Sequence, residues 1–411
     1  MPAVPLGSSL LLVDVPINNC LRAGINKIYV LTQFQSHALN SHIASSYPPI
    51  NFSGPDGANW VDVLAAQQTV MEKEWYRGSA DAIRRNISEL KDEARGIAPA
   101  TDYIILSGSG IYNMDLGRVL AYHRARNADI TICTHLVDES VAPTKGIVQV
   151  HHSSGKVLKF EEKPTAASLK ALDGAKGEKE AAKYLANMGV YVFKRDALFD
   201  LLSPSKSSAI THIGHHVIPN ALAQGLKVHG YQYHGYWRDV SSLRDYYEAN
   251  LEMASVNSPL KQLEVEGAVT AKGRQLPPAM MQGEVHVSNS LLDDGVVLAN
   301  CTVTDSVVGQ QVFVGRNSVV EKSLLLGSPY WTSESIRSAN IAAGKRVYGV
   351  GNDCHLRGCV VDENATIGDG CRLTNAEGVQ EADRASSHGY MIQDGIVVIM
   401  RNADIAPGTV I

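Results

Sequence analysis

Three polar side chains follow predicted strands, where the edge of a sheet could bind a ligand. Ser109 lies in DYIILSGSGIYNMDL, Lys163 in FEEKP and Asp239 in GYWRDVSS. In an open parallel sheet, ligands bind just beyond the carboxyl ends of the strands. A carboxylate there could hold Mg²⁺ together with substrate phosphates, and a lysine could hold a phosphate as a point charge. Ser109 offers a small neutral hydroxyl, which indicates either a lost metal site or an ordinary loop.

Each of these segments also has a plain structural interpretation. Lys163 fits a solvated turn, and Asp239 fits an amino-terminal helix cap. The segment WYRGSADAI precedes a predicted helix whose free N–H groups suit phosphate or sugar oxygens, but an ordinary helix capped by Ser79 explains it as well. The adjacent histidines of GHH (214–216) do not converge as a chelate, so we expect structural or surface residues there.

Length and composition limit the classes of protein to which the chain can belong. The 411 residues exceed one ordinary core, so we expect two domains. With 45% hydrophobic and 19% charged residues, the chain resembles soluble globular proteins. A net charge of -5 gives no reason to expect nucleic acid or an anionic membrane as a partner. Six scattered cysteines without a CxxC pair argue against zinc and against a disulfide framework, and no apolar stretch is long enough to span a bilayer.

The first part of the chain alternates predicted strands and helices. KIYVLT, DYIIL and DITIC are strand-like, and helical segments separate them, which predicts an α/β domain with βαβ units over residues 1–253. Later segments look antiparallel, because GIVQVHHSSGKVLKFEEKP has two strand-like runs around a turn. The sheet is therefore predicted to be mixed. The helix in DVSSLRDYYEANLEM should begin at Ser241 or Ser242.

The last part of the chain repeats every six residues. Val308, Val314, Val320 and Leu326 keep this spacing, and Val361, Ile367 and Leu373 form a second register. The repeat predicts a left-handed parallel β-helix over residues 284–411, with residues 254–283 as connector and 322–351 as an excursion. An antiparallel sandwich would alternate at period two instead.

Taken together, the motifs resemble one family. In the first part of the chain the motifs are LTQFQSHALNSHI, VLAAQQT, WYRGSADAI, ILSGSGIYNMD, FEEKP, ANMGVYVF and GYWRDVSSLRDYYEANL. In the tail they are SLLLGSPYWTSESIR, VVDENATIGDGCRL and GIVVIMRNADIAPGTVI. Both sets are similar to glucose-1-phosphate adenylyltransferase, also called ADP-glucose pyrophosphorylase. The resemblance runs through the whole chain in one order. It implies a Rossmann-like nucleotidyltransferase domain and a β-helix domain for oligomerisation and regulation.

The resemblance implies a reaction and a set of roles. ATP and glucose 1-phosphate would give ADP-glucose and pyrophosphate, by in-line attack of the sugar phosphate on the α-phosphorus with help from Mg²⁺. The implied substrate-binding residues are Gln68 at the adenine, Tyr76 and Gly78 in the nucleotide pocket, Glu162 at the sugar and Lys163 at its phosphate. Asp239 resembles one of two metal-binding aspartates.

Three departures from the family pattern fall in this implied site. The second metal aspartate is replaced by Ser109, and the family's serine near the glucose is replaced by Asn187. A glycine-rich phosphate loop precedes PAVPLG in the family, whereas here PAVPLG occupies residues 2–7. A hydroxyl cannot supply the charge of a carboxylate to Mg²⁺. We therefore expect a catalytically weak or inactive regulatory subunit of the large type.

Such subunits pair with catalytic ones in heterotetramers in the family. The resemblance implies activation by 3-phosphoglycerate and inhibition by phosphate, with Arg384 and Arg401 at effector positions and Gln393 in place of a lysine. It also implies a plastid (chloroplast stroma) location if the source is a plant or alga, and the cytoplasm otherwise; no leader is recognised. Two alternatives stay open: an active subunit whose sequence is truncated, and a non-catalytic sugar-phosphate-binding scaffold.

Overall fold

The computed structural model of the chain describes most of its residues. The described residues are 3–7, 10–25, 27–33, 36–48, 60–66, 74–91, 99–172, 183–203, 210–255, 258, 276–328, 335, 339, 342 and 348–411. Within them, no helix is both long enough and apolar enough to cross a membrane.

The chain divides into two compact units. The mixed-sheet unit comprises Val13–Trp237 and Gly267–Lys272, and the β-helix unit comprises Met1–Leu12, Arg238–Glu266 and Gly273–Ile411. A short hairpin near the amino end, β1 (Pro5–Leu6) and β2 (Leu10–Leu11), therefore belongs with the β-helix. Within that unit, the amide of Gly7 donates to Oδ1 of Asn250 at 2.8 Å and so fixes the hairpin to a helix.

The mixed-sheet unit contains strands and helices in alternation, as the sequence predicts. Its strands are β3 (Lys27–Thr32), β4 (Trp60–Ala65), β5 (Asp102–Leu106), β6 (Gly110–Tyr112), β7 (Ile130–Asp138), β8 (Gly146–Val150), β9 (Val157–Glu162), β10 (Lys183–Lys194) and β11 (Val228–Gln232). Its helices are α1 (Asp14–Arg22), α2 (His37–Ser46), α3 (Ser79–Arg85), α4 (Ile87–Leu90), α5 (Leu116–Ala125), α6 (Ala166–Ala171), α7 (Arg195–Leu201) and α8 (Ile218–Ala223). A short 3-10 helix spans Ala142–Thr144, and a π-helical turn, Ile213–Val217, precedes α8.

The main sheet is mixed rather than mainly parallel. Its order is β11-β7-β10-β8-β9, and β5 also pairs with β10. The long strand β10 runs antiparallel to β5, β7 and β8, whereas β11 and β7 are parallel. The β8–β9 hairpin predicted from the turn residues is confirmed. Apolar side chains such as Ile130, Ile132, Val192 and Phe193 are fully buried on the two faces of this sheet.

The predicted helix that begins near Ser79 is two helices, because α3 ends at Arg85 and α4 begins at Ile87. Ser79 does not cap this helix. Its hydroxyl instead accepts the amide hydrogen of Ile213 at 3.2 Å, a partner far away in the sequence.

The second segment of the β-helix unit begins at Arg238, within β12, and continues into a helix. The helix α9 (Leu243–Ala254) follows β12 (Trp237–Asp239) and begins after Ser242, one of the two predicted caps. Ser242 and Asp245 form a reciprocal capping box, which satisfies two amide donors at the helix start.

The coils of the β-helix stack in parallel and in register. The strands are β13 (Met280–Gln282), β14 (His286–Ser288), β15 (Leu291–Leu292), β16 (Val297–Ala299), β17 (Thr302–Thr304), β18 (Val307–Val308), β19 (Phe313–Val314), β20 (Val319–Glu321), β21 (Leu324–Leu325), β22 (Gly349–Val350), β23 (His355–Arg357), β24 (Cys359–Val361), β25 (Thr366–Ile367), β26 (Arg372–Leu373), β27 (Ala382–Arg384), β28 (Tyr390–Gln393), β29 (Ile396–Ile399) and β30 (Asp404–Ile405). They form three sheets, one for each side of the coil. The helix α10 (Ala385–His388) joins β27 to β28, and these two strands add an antiparallel extension beside β29.

The apolar repeat of the sequence fills the axis of the β-helix as far as Val320, but on the next side of the coil Leu325 is the buried core residue and the predicted Leu326 is not. Val308, Val314 and Val320 are fully buried, as is Leu373 of the second register. The corners use residues in the left-handed conformation, which Asn and Asp tolerate better than branched residues. The spacing of six in the sequence is therefore explained by one inward side chain for each side of the coil.

Candidate active site

A cavity of about 270 Å³ opens in the mixed-sheet unit, beside the carboxyl end of β5. Chain segments distant in the sequence meet here: the ends of β5 and β9, the middle of β10, the start of α3 and the π-helical turn. The lining residues are Ser79, Ile105, Leu106, Ser107, Glu162, Asn187, Gly189, Tyr191, His212, Ile213, Gly214 and His215. Such a volume is slightly below the roughly 300–1,000 Å³ of drug-sized ligand sites, so it suits a compact polar ligand.

One wall of the cavity is a bulge in β10. The register against β7 shifts between Asn187 and Tyr191. Asn187 holds this bulge, since its Oδ1 accepts the amide hydrogen of Gly189 at 3.0 Å and its Nδ2 donates to the Tyr191 hydroxyl at 2.6 Å. Gly189 has φ 71°, and a Cβ on it would lie 2.9 Å from Cβ of Ser107. Glycine is therefore required where β10 passes the end of β5.

A second part of the lining carries a carboxylate next to two glycines. Glu162 ends β9 and is half-buried. A Cβ on Gly146 would lie 2.6 Å from its Oε2, and a Cβ on Gly214 would lie 2.5 Å from the same oxygen. A methyl group at either position would therefore displace the carboxylate. Glu162 is thus positioned to accept hydrogen bonds from hydroxyl groups inside the cavity.

The third wall joins the π-helical turn to the start of α3. The carbonyl of Thr211 accepts the amide hydrogens of Ala80 at 2.9 Å and Asp81 at 3.2 Å. A Cβ on Gly78 would lie 2.5 Å from that carbonyl and 2.7 Å from the ring of His212. The close approach of these two segments brings the imidazoles of His212 and His215 to the cavity.

A buried carboxylate fixes the loop that leads to this wall. Asp81 has no solvent exposure and accepts the amide hydrogen of Arg77 at 3.0 Å. Its side chain also pairs with Nε of Arg85 at 3.2 Å and with the guanidinium of Arg84. A buried charge is stable only when it is paired and hydrogen-bonded, and here the pairs also fix the backbone of the loop.

Comparison with known families identifies both parts of the chain. The model of the nucleotidyl transferase family matches residues 1–256, more than half of the chain. The chain belongs to the nucleotidyl transferase family. A second family model, described as the GLGC left-handed parallel beta-helix domain, matches residues 274–410. The predicted fold class is confirmed, and the two domains together fit a transferase of the glucose-1-phosphate adenylyltransferase type, with a nucleotide and a sugar phosphate as the implied substrates.

The cavity of this nucleotidyl transferase contains two of the predicted substrate-binding residues, Glu162 and Asn187. Lys163 is exposed, has the unusual backbone φ of 49°, and is not among the described residues that line the cavity. Its amide donates to the carbonyl of Lys145 at 3.0 Å. The predicted phosphate contact of Lys163 stays a prediction.

Two further predicted residues lie in the loop before α3. The Tyr76 hydroxyl accepts from Nδ2 of Asn86 at 2.8 Å, and its carbonyl accepts from Nε2 of Gln33 at 3.2 Å. Gly78 packs on His212, as described above. Both are placed by the structure beside the cavity wall rather than in its lining. Gln68, the predicted adenine contact, lies outside the described residues.

Ser109 follows β5 and is half-buried. Its hydroxyl and that of Ser107 are 2.9 Å apart, and its amide donates to Oγ of Ser107 at 3.4 Å. Among the described residues that line the cavity, Glu162 supplies the single carboxylate. Mg²⁺ is usually bound by one or two carboxylates together with substrate phosphates and water, so this described lining offers one such ligand, and the predicted Mg²⁺ stays a prediction. Asp239, the other predicted metal ligand, ends β12 and belongs to the β-helix unit.

The predicted effector residues lie in the β-helix unit. Arg384 ends β27 and is exposed, and the guanidinium of Arg401 pairs with the carboxylate of Glu363. Arg384 pairs with Tyr390, which pairs with Ile399, so Arg384 and Arg401 lie at the same end of the antiparallel extension. Gln393 lies at the other end of β28, about 10 Å along the strand.

Local sequence patterns offered only weak signals for the other lining residues. His215 belongs to GHH (214–216), which we expected to be structural or surface residues, no role was predicted for His212, and Ser79 was expected only as a helix cap. The structure shows that His212 and His215 line the cavity. Periodicity could not indicate this, since the wall depends on contacts between segments more than 130 residues apart, as in the Ser79–Ile213 hydrogen bond.

Proposed function

We propose that this chain is a subunit of a glucose-1-phosphate adenylyltransferase whose own active site is impaired and whose role is regulatory. One observation supports the proposal: Glu162 lines the cavity with a carboxylate suited to sugar hydroxyls, while Ser109 stands where the family resemblance implies a metal-binding aspartate. In this proposal the site still binds a sugar phosphate but no longer catalyses nucleotidyl transfer efficiently.

The binding half of the proposal rests on Glu162 and its surroundings. Gly146 and Gly214 leave room for the carboxylate oxygen, since a Cβ on either residue would approach it to 2.6 Å or 2.5 Å. A carboxylate is an acceptor of hydrogen bonds, and hexose hydroxyls are donors. The cavity of about 270 Å³ suits a sugar phosphate better than a complete nucleotide sugar. Glucose 1-phosphate is therefore the ligand that we assign to it.

The catalytic half rests on Ser109 and Ser107. Transfer of a nucleotidyl group needs stabilisation of negative charge that develops on the phosphates. The two hydroxyls at the end of β5 hydrogen-bond to each other. A neutral hydroxyl contributes no charge to a metal site, so this position cannot replace a metal-binding aspartate. We infer that the chain alone turns over orders of magnitude more slowly than a catalytic subunit.

The regulatory role extends the proposal to partners. The chain would assemble with a catalytic-type subunit into a heterotetramer, and 3-phosphoglycerate and phosphate would act as effectors. Arg384 and Arg401 supply positive charge at one end of the β27–β28 extension, and this charge suits small phosphorylated anions. Starch or glycogen synthesis would be the process served, with a plastid location if the source is a plant or alga.

The experiment measures pyrophosphate release from ATP, glucose 1-phosphate and Mg²⁺. The purified chain is assayed alone, as Ser109→Asp, and mixed with a catalytic-type partner, and glucose 1-phosphate binding is measured by calorimetry on the same samples. We expect binding without turnover for the chain alone, and an altered response to 3-phosphoglycerate in the mixture.

Other outcomes favour the alternatives. Turnover by the unmodified chain at the rate of the partner would contradict the regulatory assignment and favour an active subunit. Binding of glucose 1-phosphate by homotetramers, without any effect on the partner's effector response, would favour a sugar-phosphate-binding scaffold. Absence of glucose 1-phosphate binding would contradict the assignment of the cavity.

A further inference from the structure

The described lining of the cavity has little positive charge to offer to an anionic ligand. It contains neither lysine nor arginine, and Glu162 is its single carboxylate. A sugar phosphate carries close to two negative charges at pH 7.5, because the second pKa of such a phosphate is about 6. Within the described lining, only the imidazoles of His212 and His215 can become cations, since histidine changes its charge between about pH 5 and pH 8. These two side chains therefore decide whether the lining can hold a phosphate group.

The imidazoles of His212 and His215 are both available to a ligand. Both side chains are exposed, and neither imidazole has a hydrogen bond or an ion pair to another residue in the part of the chain that the structure describes. A ring nitrogen that donates to a phosphate oxygen at about 2.8 Å leaves the ring centroid about 4 Å from that oxygen. The two ring centroids are 6.0 Å apart, so both rings lie close enough to donate to one phosphate group.

The start of α3, at the same wall, adds one hydroxyl and none of the two amides that pair with the turn. The carbonyl of Thr211 accepts the amide hydrogens of Ala80 and Asp81, so these amides are closed to a ligand. The hydroxyl of Ser79 accepts the amide hydrogen of Ile213, and its own hydrogen stays free to be donated to a ligand oxygen. A phosphate group at this wall would therefore be bound by side chains.

The third imidazole of the turn is already used within the turn. The Nδ1 atom of His216 accepts the amide hydrogen of His212 at 3.2 Å, and a proton on that nitrogen would remove the acceptor. His216 is therefore held in its neutral form by this bond, and the response to an anion falls to His212 and His215.

The charged groups of the elements that pack against the turn direct an anion towards these two imidazoles. The strand β9 and the helices α3 and α8 pack there, and α8 carries no charged residue. The charged residues are Lys159, Glu161 and Glu162 of β9 and Asp81, Arg84 and Arg85 of α3. Asp81 pairs with both arginines, and Lys159 pairs with Glu161 at 3.0 Å. Glu162 remains, beside Gly214, and its negative charge repels a phosphate while it suits sugar hydroxyls.

We propose that His212 and His215 hold the phosphate group of a sugar phosphate in this cavity, and that protons bind to them together with the ligand. The inference rests on the proposed function, which places the hexose at Glu162. An anion beside an imidazole favours the protonated ring, and a protonated ring donates a charge-assisted hydrogen bond to a phosphate oxygen. The affinity for the sugar phosphate therefore rises as the pH falls from 8.5 to 7. This assignment differs from the one that the resemblance implies, since Lys163 is not among the described residues that line the cavity.

The test measures the protons that bind together with glucose 1-phosphate, on the full chain without a polyhistidine tag. Calorimetric titrations at pH 7.5 are repeated in buffers of different ionisation enthalpy, and the slope of the binding enthalpy against the buffer's ionisation enthalpy gives the number of protons. We expect an uptake of up to about one proton per ligand, and for one proton the affinity falls about tenfold between pH 7.5 and pH 8.5. The phosphate group itself can only release protons beside a cation, so an uptake must come from the protein.

The double variant His212→Gln, His215→Gln removes both titrating groups. We expect it to lose the proton uptake and to bind glucose 1-phosphate at least about tenfold more weakly at pH 7. The matched control is His151→Gln, His152→Gln, two adjacent exposed histidines in the turn between β8 and β9, which should keep both the affinity and the uptake. Equal proton uptake in the wild type and in the His212/His215 variant would overturn the proposal. Circular dichroism of each variant verifies that the fold is kept.

Sulfate and the variant Glu162→Gln distinguish a failure of this proposal from a failure of the proposed function. Sulfate is a tetrahedral dianion that has no hexose and no titrating proton at pH 7.5. Sulfate binding with a proton uptake that the His212/His215 variant removes supports the imidazole site, even if glucose 1-phosphate binds no more tightly than sulfate, a result that would contradict the sugar assignment.

The opposite result would leave the sugar assignment in place. If Glu162→Gln weakens the binding of glucose 1-phosphate, while the wild type takes up no proton and the His212/His215 variant binds as the wild type does, the phosphate is held elsewhere and the present proposal is wrong. Absence of binding for both glucose 1-phosphate and sulfate would contradict both proposals.

Discussion

The hydroxyl groups of Ser107 and Ser109 are 2.9 Å apart, directly after the strand β5. Ser107 is itself fixed, because its amide donates to the carbonyl of Gly189 at 2.8 Å. The end of β5 thus carries two hydroxyls that hydrogen-bond to each other, at the position that the family resemblance assigns to a metal-binding aspartate. A single substitution at Ser109 tests whether this position can bind a metal ion.

Ser109→Asp places a carboxylate at this position. We expect the variant to bind Mg²⁺ measurably more tightly than the wild type, by about tenfold or more, because a carboxylate is a ligand that Mg²⁺ prefers. Calorimetric titration of the full chain with Mg²⁺ in the presence of ATP measures the difference. Ser109→Asn is the matched control, since it has the same shape without charge. Equal Mg²⁺ affinity in the two variants would show that the position does not face the metal.

The sequence predicted those features that depend on local pattern. The repeat of six gave the β-helix, Ser242 was recognised as a cap, and the turn residues gave the β8–β9 hairpin. Each of these follows from residues near each other in the chain, where periodicity and capping chemistry act. The resemblance to a known family gave Glu162 and Asn187, which do line the cavity.

The remaining features depend on long-range contacts. The role of Ser79 depends on Ile213, and that of Gly214 depends on Glu162, so no local pattern contains either one. The break between α3 and α4 and the antiparallel course of β10 likewise follow from tertiary packing, which overrides local propensity. His215, which was expected to be a structural or surface residue, is exposed, and its place in the cavity lining likewise depends on long-range contacts.

Gly214→Ala tests the placement of Glu162. The new methyl group would lie 2.5 Å from Oε2, so the carboxylate must move away from its position in the cavity. We expect glucose 1-phosphate binding to weaken by about tenfold, equivalent to roughly 1.4 kcal/mol, as measured by calorimetry. Gly225→Ala is the control, because Gly225 has φ 76° and open space around it. That variant should lower stability through backbone strain and leave binding unchanged; the reverse pattern would contradict the assignment.

Tyr47→Phe tests a buried polar cluster in the mixed-sheet unit. Asp14 has no solvent exposure, and its Oδ1 accepts from the Tyr47 hydroxyl at 2.8 Å and lies 2.8 Å from Nε2 of His42. Loss of a hydrogen bond to a charged group costs about 1.5–3 kcal/mol, and we expect the free energy of unfolding to fall by that amount. Urea denaturation followed by tryptophan fluorescence measures it. Tyr348→Phe, at an exposed position, should cost almost nothing.

Alkaline pH should lower the free energy of unfolding, because buried thiols keep their protons in the folded chain. Burial raises the pKa of Cys20 and of Cys359 from 9.0 to about 12. Above pH 9 the thiols of the unfolded chain lose their protons while the folded ones keep theirs, so the unfolded state is favoured as the pH rises. Each such thiol should cost about 0.8 kcal/mol at pH 9.5 relative to pH 7.

The midpoints of urea denaturation at pH 7.0, 8.5 and 9.5 measure this loss of stability. The highest of these pH values is below the ordinary pKa of tyrosine, about 10. Cys20→Ala removes one of these buried thiols, so the stability of the mixed-sheet unit should fall less steeply as the pH rises. The variant also leaves a small cavity, so the comparison concerns the slope with pH and not the absolute stability. An unchanged slope would mean that Cys20 ionises as readily in the folded chain as in the unfolded one.

A column of hydroxyls inside the β-helix should contribute strongly to its stability. Ser306 is fully buried; its Oγ donates to the carbonyl of Thr304 at 2.7 Å and accepts the amide hydrogen of Ser323 on the next coil at 3.0 Å. Ser306→Ala leaves that buried amide without its partner, which costs about 1–3 kcal/mol. We expect the thermal transition of the β-helix to fall accordingly, by several degrees in calorimetry.

A cysteine in the same column suggests a variant that should keep part of this stability. Cys359 occupies the same column two coils later, and its Sγ lies 3.4 Å from the carbonyl of Arg357, as a serine would. Ser306→Cys should therefore lose less stability than Ser306→Ala, although a thiol is larger and a weaker donor. Ser387→Ala, at an exposed position, controls for the loss of a hydroxyl alone. Equal losses in the alanine and cysteine variants would mean that the column is held by packing and that its hydrogen bonds add little.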